Sequence, residues 1–150
     1  LTIGTLDGAN VEMLEEIGAA NMYIFGLKTE EVRDLKISGY NPWRFFESDS
    51  ELREALEQIR DGFFSPGQRD LFKPIVDSLL HGGDHYLVLA DYRAFINCQD
   101  QVSADYRDRE AWTRRSIINV AKTGKFSSDR TIAEYAQEIW GVETDYPPKK

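Results

Sequence analysis

Cysteine and histidine are scarce, and so are basic residues and long apolar runs. The 150 residues hold one cysteine, Cys98, and two histidines, His81 and His85. One cysteine cannot form an intrachain disulfide, which fits a reducing compartment. Cys98 falls in an apolar-patterned helix and reads as a small buried hydrophobe. The histidines flank Gly82-Gly83-Asp84 without the further ligands a metal needs, so a solvated loop is the expectation there. Lysine and arginine number 18 against 26 acidic residues, giving a net charge of -8. That balance disfavours nucleic acid and anionic membranes as partners. The longest apolar runs are as short as Tyr86-Leu87-Val88-Leu89-Ala90, whereas a membrane-spanning helix needs about 20 residues. No secretory leader is visible. Repeats, a P-loop, Gly-x-Gly-x-x-Gly, Gly-x-Ser-x-Gly and zinc-type spacings are also missing.

What is there reads as α/β at the start and mainly helical afterwards. Leu1 to Thr5 forms an expected strand, and Asp7-Gly8 a turn that caps a helix bearing Met13, Leu14 and Ile17. Met22 to Phe25 reads as a second buried strand. Strand, helix and strand in so short a stretch imply a parallel βαβ unit. Because the chain opens on Leu1 inside an element, truncation on its N-terminal side is expected, with the rest of the sheet in the absent part. Helices are then expected from Thr29, from the capping box Ser48-Asp49-Ser50-Glu51, and from Asp70 with Leu71, Phe72, Ile75, Val76, Leu79 and Leu80 inward. Tyr86 to Ala90 is a third strand candidate, after which Asp91 opens a helix. Asp108 opens another with Trp112, Ile117 and Val120. The last, from Ser128 or Asp129, carries Ile132, Tyr135, Ala136, Ile139 and Trp140. Asp145 to Lys150 reads as a polar tail and a true chain end.

Two segments draw attention as chemistry. Thr5-Leu6-Asp7-Gly8-Ala9-Asn10-Val11-Glu12 lies where a strand passes into a helix, and ligands of parallel sheets bind beyond strand carboxyl ends. Thr5, Asp7, Gly8 and Asn10 are the candidate site residues. In the alternative, Asp7 caps the helix, Gly8 makes the turn and Asn10 bonds backbone. In Gly124-Lys125-Phe126-Ser127-Ser128-Asp129-Arg130-Thr131, the cation Arg130 opposes the helix dipole and so needs a carboxylate partner. Lys125 and Arg130 together also suit a phosphate, although structural docking is the preferred reading. The pairs Glu15-Glu16 and Glu30-Glu31 read as solvated helix faces.

Leu1 to Glu12 closely resembles the segment that follows the cofactor lysine in α-glucan (glycogen, starch, maltodextrin) phosphorylases. Asn21-Met22-Tyr23-Ile24-Phe25-Gly26, Gly62-Phe63-Phe64-Ser65-Pro66, Ala90-Asp91-Tyr92, Val102-Ser103-Ala104, Gly124 to Thr131, Tyr135 and Glu138-Ile139-Trp140-Gly141-Val142 resemble the same family in the same order. The resemblance implies a GT-B fold, with residues 1–150 as the C-terminal segment of its second, cofactor-bearing, Rossmann-like domain. It also implies phosphorolysis of terminal α-1,4-glucosidic bonds to glucose 1-phosphate, with pyridoxal phosphate as cofactor.

On the same resemblance the Schiff-base lysine and the catalytic residues lie upstream of Leu1. No catalytic, cofactor-binding or metal residue is therefore assigned, and the segment alone is expected to bind no cofactor and to be inactive. The implied partners are the remainder of the chain, α-glucan, phosphate and a second subunit. The implied setting is an allosteric enzyme of glycogen metabolism in the cytoplasm, or in a plastid in plants. Two rivals remain: an independent, non-catalytic interaction or regulatory module, and another GT-B glycosyltransferase such as a glycogen synthase.

Overall fold

A computed structural model describes residues 1–143; the expected tail from Asp145 to Lys150 lies outside the described residues. Strand β1 (Ile3–Gly4) leads through helix α1 (Ala9–Ile17) and a 3-10 turn (Ala19–Asn21) to β2 (Tyr23–Ile24). The two strands pair in parallel, with Ile3 opposite Tyr23 and Gly4 opposite Ile24. The parallel βαβ expectation therefore holds, although the strands are shorter than the apolar runs that announce them. Nine further elements follow among the described residues: α2 (Thr29–Ile37), α3 (Pro42–Ser48), α4 (Ser50–Arg60), α5 (Lys73–Leu80), α6 (Val88–Asp105), α7 (Arg109–Lys122), a 3-10 turn (Thr123–Phe126), α8 (Ser128–Glu134) and a π-helical segment (Tyr135–Trp140).

The main core is local to the middle of the chain. Phe46, Leu52, Leu56, Val76, Leu80 and Leu89 form one buried cluster drawn from α3, α4, α5 and α6, with Trp43, Phe45, Ile59, Leu79 and Tyr92 packed around it. Helical spacing produces it, since Leu52 and Leu56, like Val76 and Leu80, stand one turn apart on one face. Asp49 supplies the cap of α4, its carboxylate accepting from the amides of Glu51 and Leu52, both at 3.1 Å. The expected capping box is thus displaced by one residue, because Ser48 ends α3 and bonds back to the Phe45 carbonyl. Lys28 rather than Thr29 caps α2, its amide donating to the Glu31 carboxylate at 2.8 Å. Helix α5 starts at Lys73, so Leu71 lies before it and outside the core; Ile75 is half exposed too.

The third expected strand is a helix start instead. Tyr86 is 90 % exposed and Leu87 has φ +58°, which ends any extended run. The cause is Asp84, whose buried carboxylate accepts from the amides of Val88 at 2.9 Å and Leu89 at 2.8 Å. These are two of the orphan amides that every helix N-terminus must satisfy. A short apolar run does not by itself distinguish strand from helix, and here the anchored carboxylate decides. Asp91, expected to open this helix, sits within its first turn.

A second, smaller packing unit joins the strand pair to α6 and α7. Tyr23 of β2 donates its hydroxyl to Asp105 at 2.7 Å, and the Arg115 guanidinium bonds the same carboxylate at 2.9 Å while lying 4.4 Å from the Tyr23 ring. Asn119 of α7 donates to the Asn21 carbonyl at 2.9 Å. Asp108 caps α7 as expected, accepting from the Ala111 amide at 3.0 Å. Its apolar residues are not all covered: Ile117 is 63 % and Val120 79 % exposed. Of the closing stripe only Ala136 is buried, whereas Ile132, Tyr135, Ile139 and Trp140 are exposed. Cys98 is half-buried on α6 rather than fully enclosed, and burial pushes its thiol pKa up.

Candidate functional site

Thr5 and Phe25 each follow the last residue of their strand, so both lie just beyond strand carboxyl ends. They line one cleft of about 350 Å³, which Tyr86, Val88, Asp91, Tyr92 and Phe95 close from α6 and the turn before it. Its position is that of ligand sites in parallel α/β sheets. Phe25 and Phe95 meet edge to face at 5.3 Å.

The four residues singled out in the sequence fare differently. Thr5 lines the cleft. Asn10 turns back to it, donating from Nδ2 to the Thr5 carbonyl at 2.8 Å. Gly4 permits this contact, since a Cβ there would stand 2.5 Å from the Asn10 amide nitrogen. Asp7 and Gly8 are exposed and line no part of the cleft. The Asp7 carboxylate does not cap α1; its main-chain carbonyl accepts from the Asn10 amide at 3.0 Å instead. Of the two readings offered for this turn, Asn10 bonding to backbone is what the geometry has.

Asp91 is the cleft residue that sequence reasoning passed over as a helix start. Its Oδ1 accepts from the Leu27 amide at 2.8 Å. Gly26, at φ +82°, makes the approach possible, because any Cβ there would fall within 2.9 Å of all three carboxyl atoms. Burial pushes the Asp91 pKa up, the Leu27 hydrogen bond opposes this, and the negative charges of Asp84, Asp7 and Glu31 add to the rise. A desolvated carboxyl in a cleft marks a functional candidate. The signal available in the sequence was the Gly26 to Asp91 pairing, invisible without the fold.

This shift has a testable sign. A carboxyl with a raised folded pKa binds more protons folded than unfolded, so stability falls as pH rises from its ordinary value through the raised one. Asp91→Asn keeps an acceptor for Leu27 and removes that loss. The stability gap between the variant and the parent protein is expected to widen in the variant's favour across that window, measured by urea unfolding at stepped pH. Parallel curves would contradict the shift.

The other candidate segment is architecture. Lys125 pairs with Glu16 at 2.6 Å, tying the turn after α7 to α1. Arg130 pairs with Glu134 and donates to the Lys125 carbonyl. Each cation already has a carboxylate, so the phosphate reading loses its ligands. His81 is exposed, 4.0 Å from Asp77. Among the described residues no group of three or more His, Cys, Asp or Glu is placed to hold a metal ion, and no helix is long and apolar enough to cross a membrane.

Comparison with known proteins places these features in a family. The family model described as carbohydrate phosphorylase matches residues 1–142. The chain is 52 % identical over 143 residues to a glycogen phosphorylase of Synechocystis sp.. It is 56 % identical to the human muscle form and 55 % identical to the human brain form of glycogen phosphorylase, again over 143 residues. Each alignment takes in 95 % of this chain and 17 % of the relative, so the chain spans about a sixth of the length of the curated relatives it matches.

Proposed function

This chain belongs to the carbohydrate phosphorylase family, and on that premise we propose that it is a segment of an α-glucan phosphorylase. The parent enzyme cleaves terminal α-1,4-glucosidic bonds of its glucan with inorganic phosphate, releasing glucose 1-phosphate. The segment belongs to the second domain of a GT-B fold, downstream of the lysine that carries pyridoxal phosphate. The parent works as a homodimer in the cytoplasm. The observation that carries this reading is identity of more than half the positions over 143 residues.

The segment's part is structural. Pyridoxal phosphate supplies, when bound, a phosphate group that exchanges a proton with the substrate phosphate. The residues of this cleft do not fit that cofactor: none of them is a lysine or arginine, and the charged side chain in the lining, Asp91, is an anion. Lys125 is engaged with Glu16 and stands away from the cleft. What favours a segment over an independent module is the surface. A two-stranded sheet is marginal without neighbours, and Ile117 and Val120 of α7 and Ile132, Ile139 and Trp140 of the closing helix are exposed apolar side chains open to cover.

The test is reconstitution. The isolated chain is expected to show no cofactor absorbance band and no glucose 1-phosphate release, and the parent to show both. Sequencing the reading frame upstream of Leu1 checks the placement. A lysine-bearing Gly-Asn-Met-Lys type stretch there is the expected result; a parent whose matching stretch lies in its amino-terminal part refutes the placement. Cofactor binding by the chain alone would overturn the structural role.

A further inference from the structure

The cleft beyond the strand ends combines a carboxylate with aromatic walls. Asp91 spends Oδ1 on the Leu27 amide, and its Oδ2 has no hydrogen-bond partner among the described residues. Phe25, Phe95, Tyr92 and the exposed Tyr86 line the same cleft, with no cationic side chain in the lining. Asp91 is half-buried and its Oδ2 is not among the buried polar atoms left without a partner, so an occupant that displaces solvent from the cleft must supply a cation in its place. One carboxylate without a second ligand does not make a metal site. A purely apolar occupant would bury the charge without an answer.

We propose that this cleft is a socket for an arginine side chain supplied by the part of the phosphorylase outside these 150 residues. The proposal rests on the segment reading above. A guanidinium suits the chemistry because its plane stacks on aromatic faces while its fork bonds a carboxylate. The source follows from extent and charge. The chain accounts for 17 % of the relatives' length, and with a net charge of -8 it is matched by a cationic contact. Burial raising the Asp91 pKa is what an acid awaiting its counter-ion shows.

The probe is N-acetyl-arginine methylamide, titrated into the chain labelled with 4-fluorophenylalanine and followed by fluorine NMR at Phe25 and Phe95. Saturable shifts are expected with a dissociation constant on the order of millimolar. Asp91→Asn should weaken binding by about tenfold, and the uncharged citrulline analogue should bind weaker than arginine by a similar factor. Phe95→Leu, which leaves the Leu27 bond intact, should also weaken it. Equal binding of citrulline would make the cleft an apolar groove, and equal binding of the lysine analogue would remove the guanidinium; either overturns the proposal. So does the lack of a saturable shift up to about 50 mM. In the full-length parent the socket is already filled, so the probe should not shift Phe95. Full affinity there would refute the proposed source. None of these outcomes bears on family or activity, which reconstitution tests separately.

Discussion

Leu80→Ala is expected to cost about 2–5 kcal/mol of unfolding free energy, read as a lower urea midpoint at unchanged slope. Leu80 is 5 % exposed and belongs to the buried cluster shared by α3 to α6. Truncation removes the transfer energy of the lost methyl groups and leaves a cavity between helices that cannot fully close. Helix α5 has only eight residues, and its grip on the core rests on Val76 and Leu80. Leu71→Ala is the control: Leu71 is 53 % exposed, so its loss is expected to stay within about 0.5 kcal/mol. A Leu80→Ala loss no larger than the Leu71→Ala loss would contradict this placement of the core.

Asp84→Ala is expected to be comparably damaging, at about 2–4 kcal/mol. Asp84 is 3 % exposed, and three donors converge on its carboxylate: the Val88 and Leu89 amides and the Tyr40 hydroxyl at 2.6 Å. Alanine leaves each donor without its acceptor in a desolvated place, where an unmade bond costs more than a made one contributes. Burial and the neighbouring carboxylate push the Tyr40 pKa well above its ordinary value, so the hydroxyl stays a donor at all ordinary pH. Asp84→Asn is expected to lose less, since one amide oxygen still accepts while its NH₂ faces donors. Unfolding monitored by far-UV circular dichroism gives both values, and an Asp84→Ala protein as stable as the parent would refute the anchor.

The same residue shows where sequence reasoning reached and where it stopped. The βαβ opening was legible because two apolar runs flank an amphipathic helix with a Gly on each side. Helices α4 and α7 were legible from carboxylate caps, and α5 from its spacing apart from its first turn. Tyr86 to Ala90 was misread because the deciding contact is a side chain two residues upstream of the run, reaching forward to amides. Thr5 and Asn10 were found, since they stand at a recognisable junction. Asp91 was not, because its neighbours Gly26 and Leu27 lie 64 or more residues away in sequence. Arg115 and Asp105 were missed because their shared partner Tyr23 lies 92 and 82 positions away. The apolar faces of α7 and the closing helix were legible as faces, and they stand exposed, since periodicity reports a stripe and not what covers it.

The Tyr23, Asp105 and Arg115 contact sets an order on synthesis. Its partners stand 82 and 92 positions apart, and the Asn21 to Asn119 bond spans 98. The cluster from Phe46 to Leu89 closes over much shorter loops, and short loops close at less entropic cost. During synthesis the helices from α3 to α6 therefore assemble while the strand pair that precedes them still lacks its clasp. The strand pair is secured by residues made 82 to 98 positions later, and a ribosome stalled before Arg115 leaves the strands unlatched.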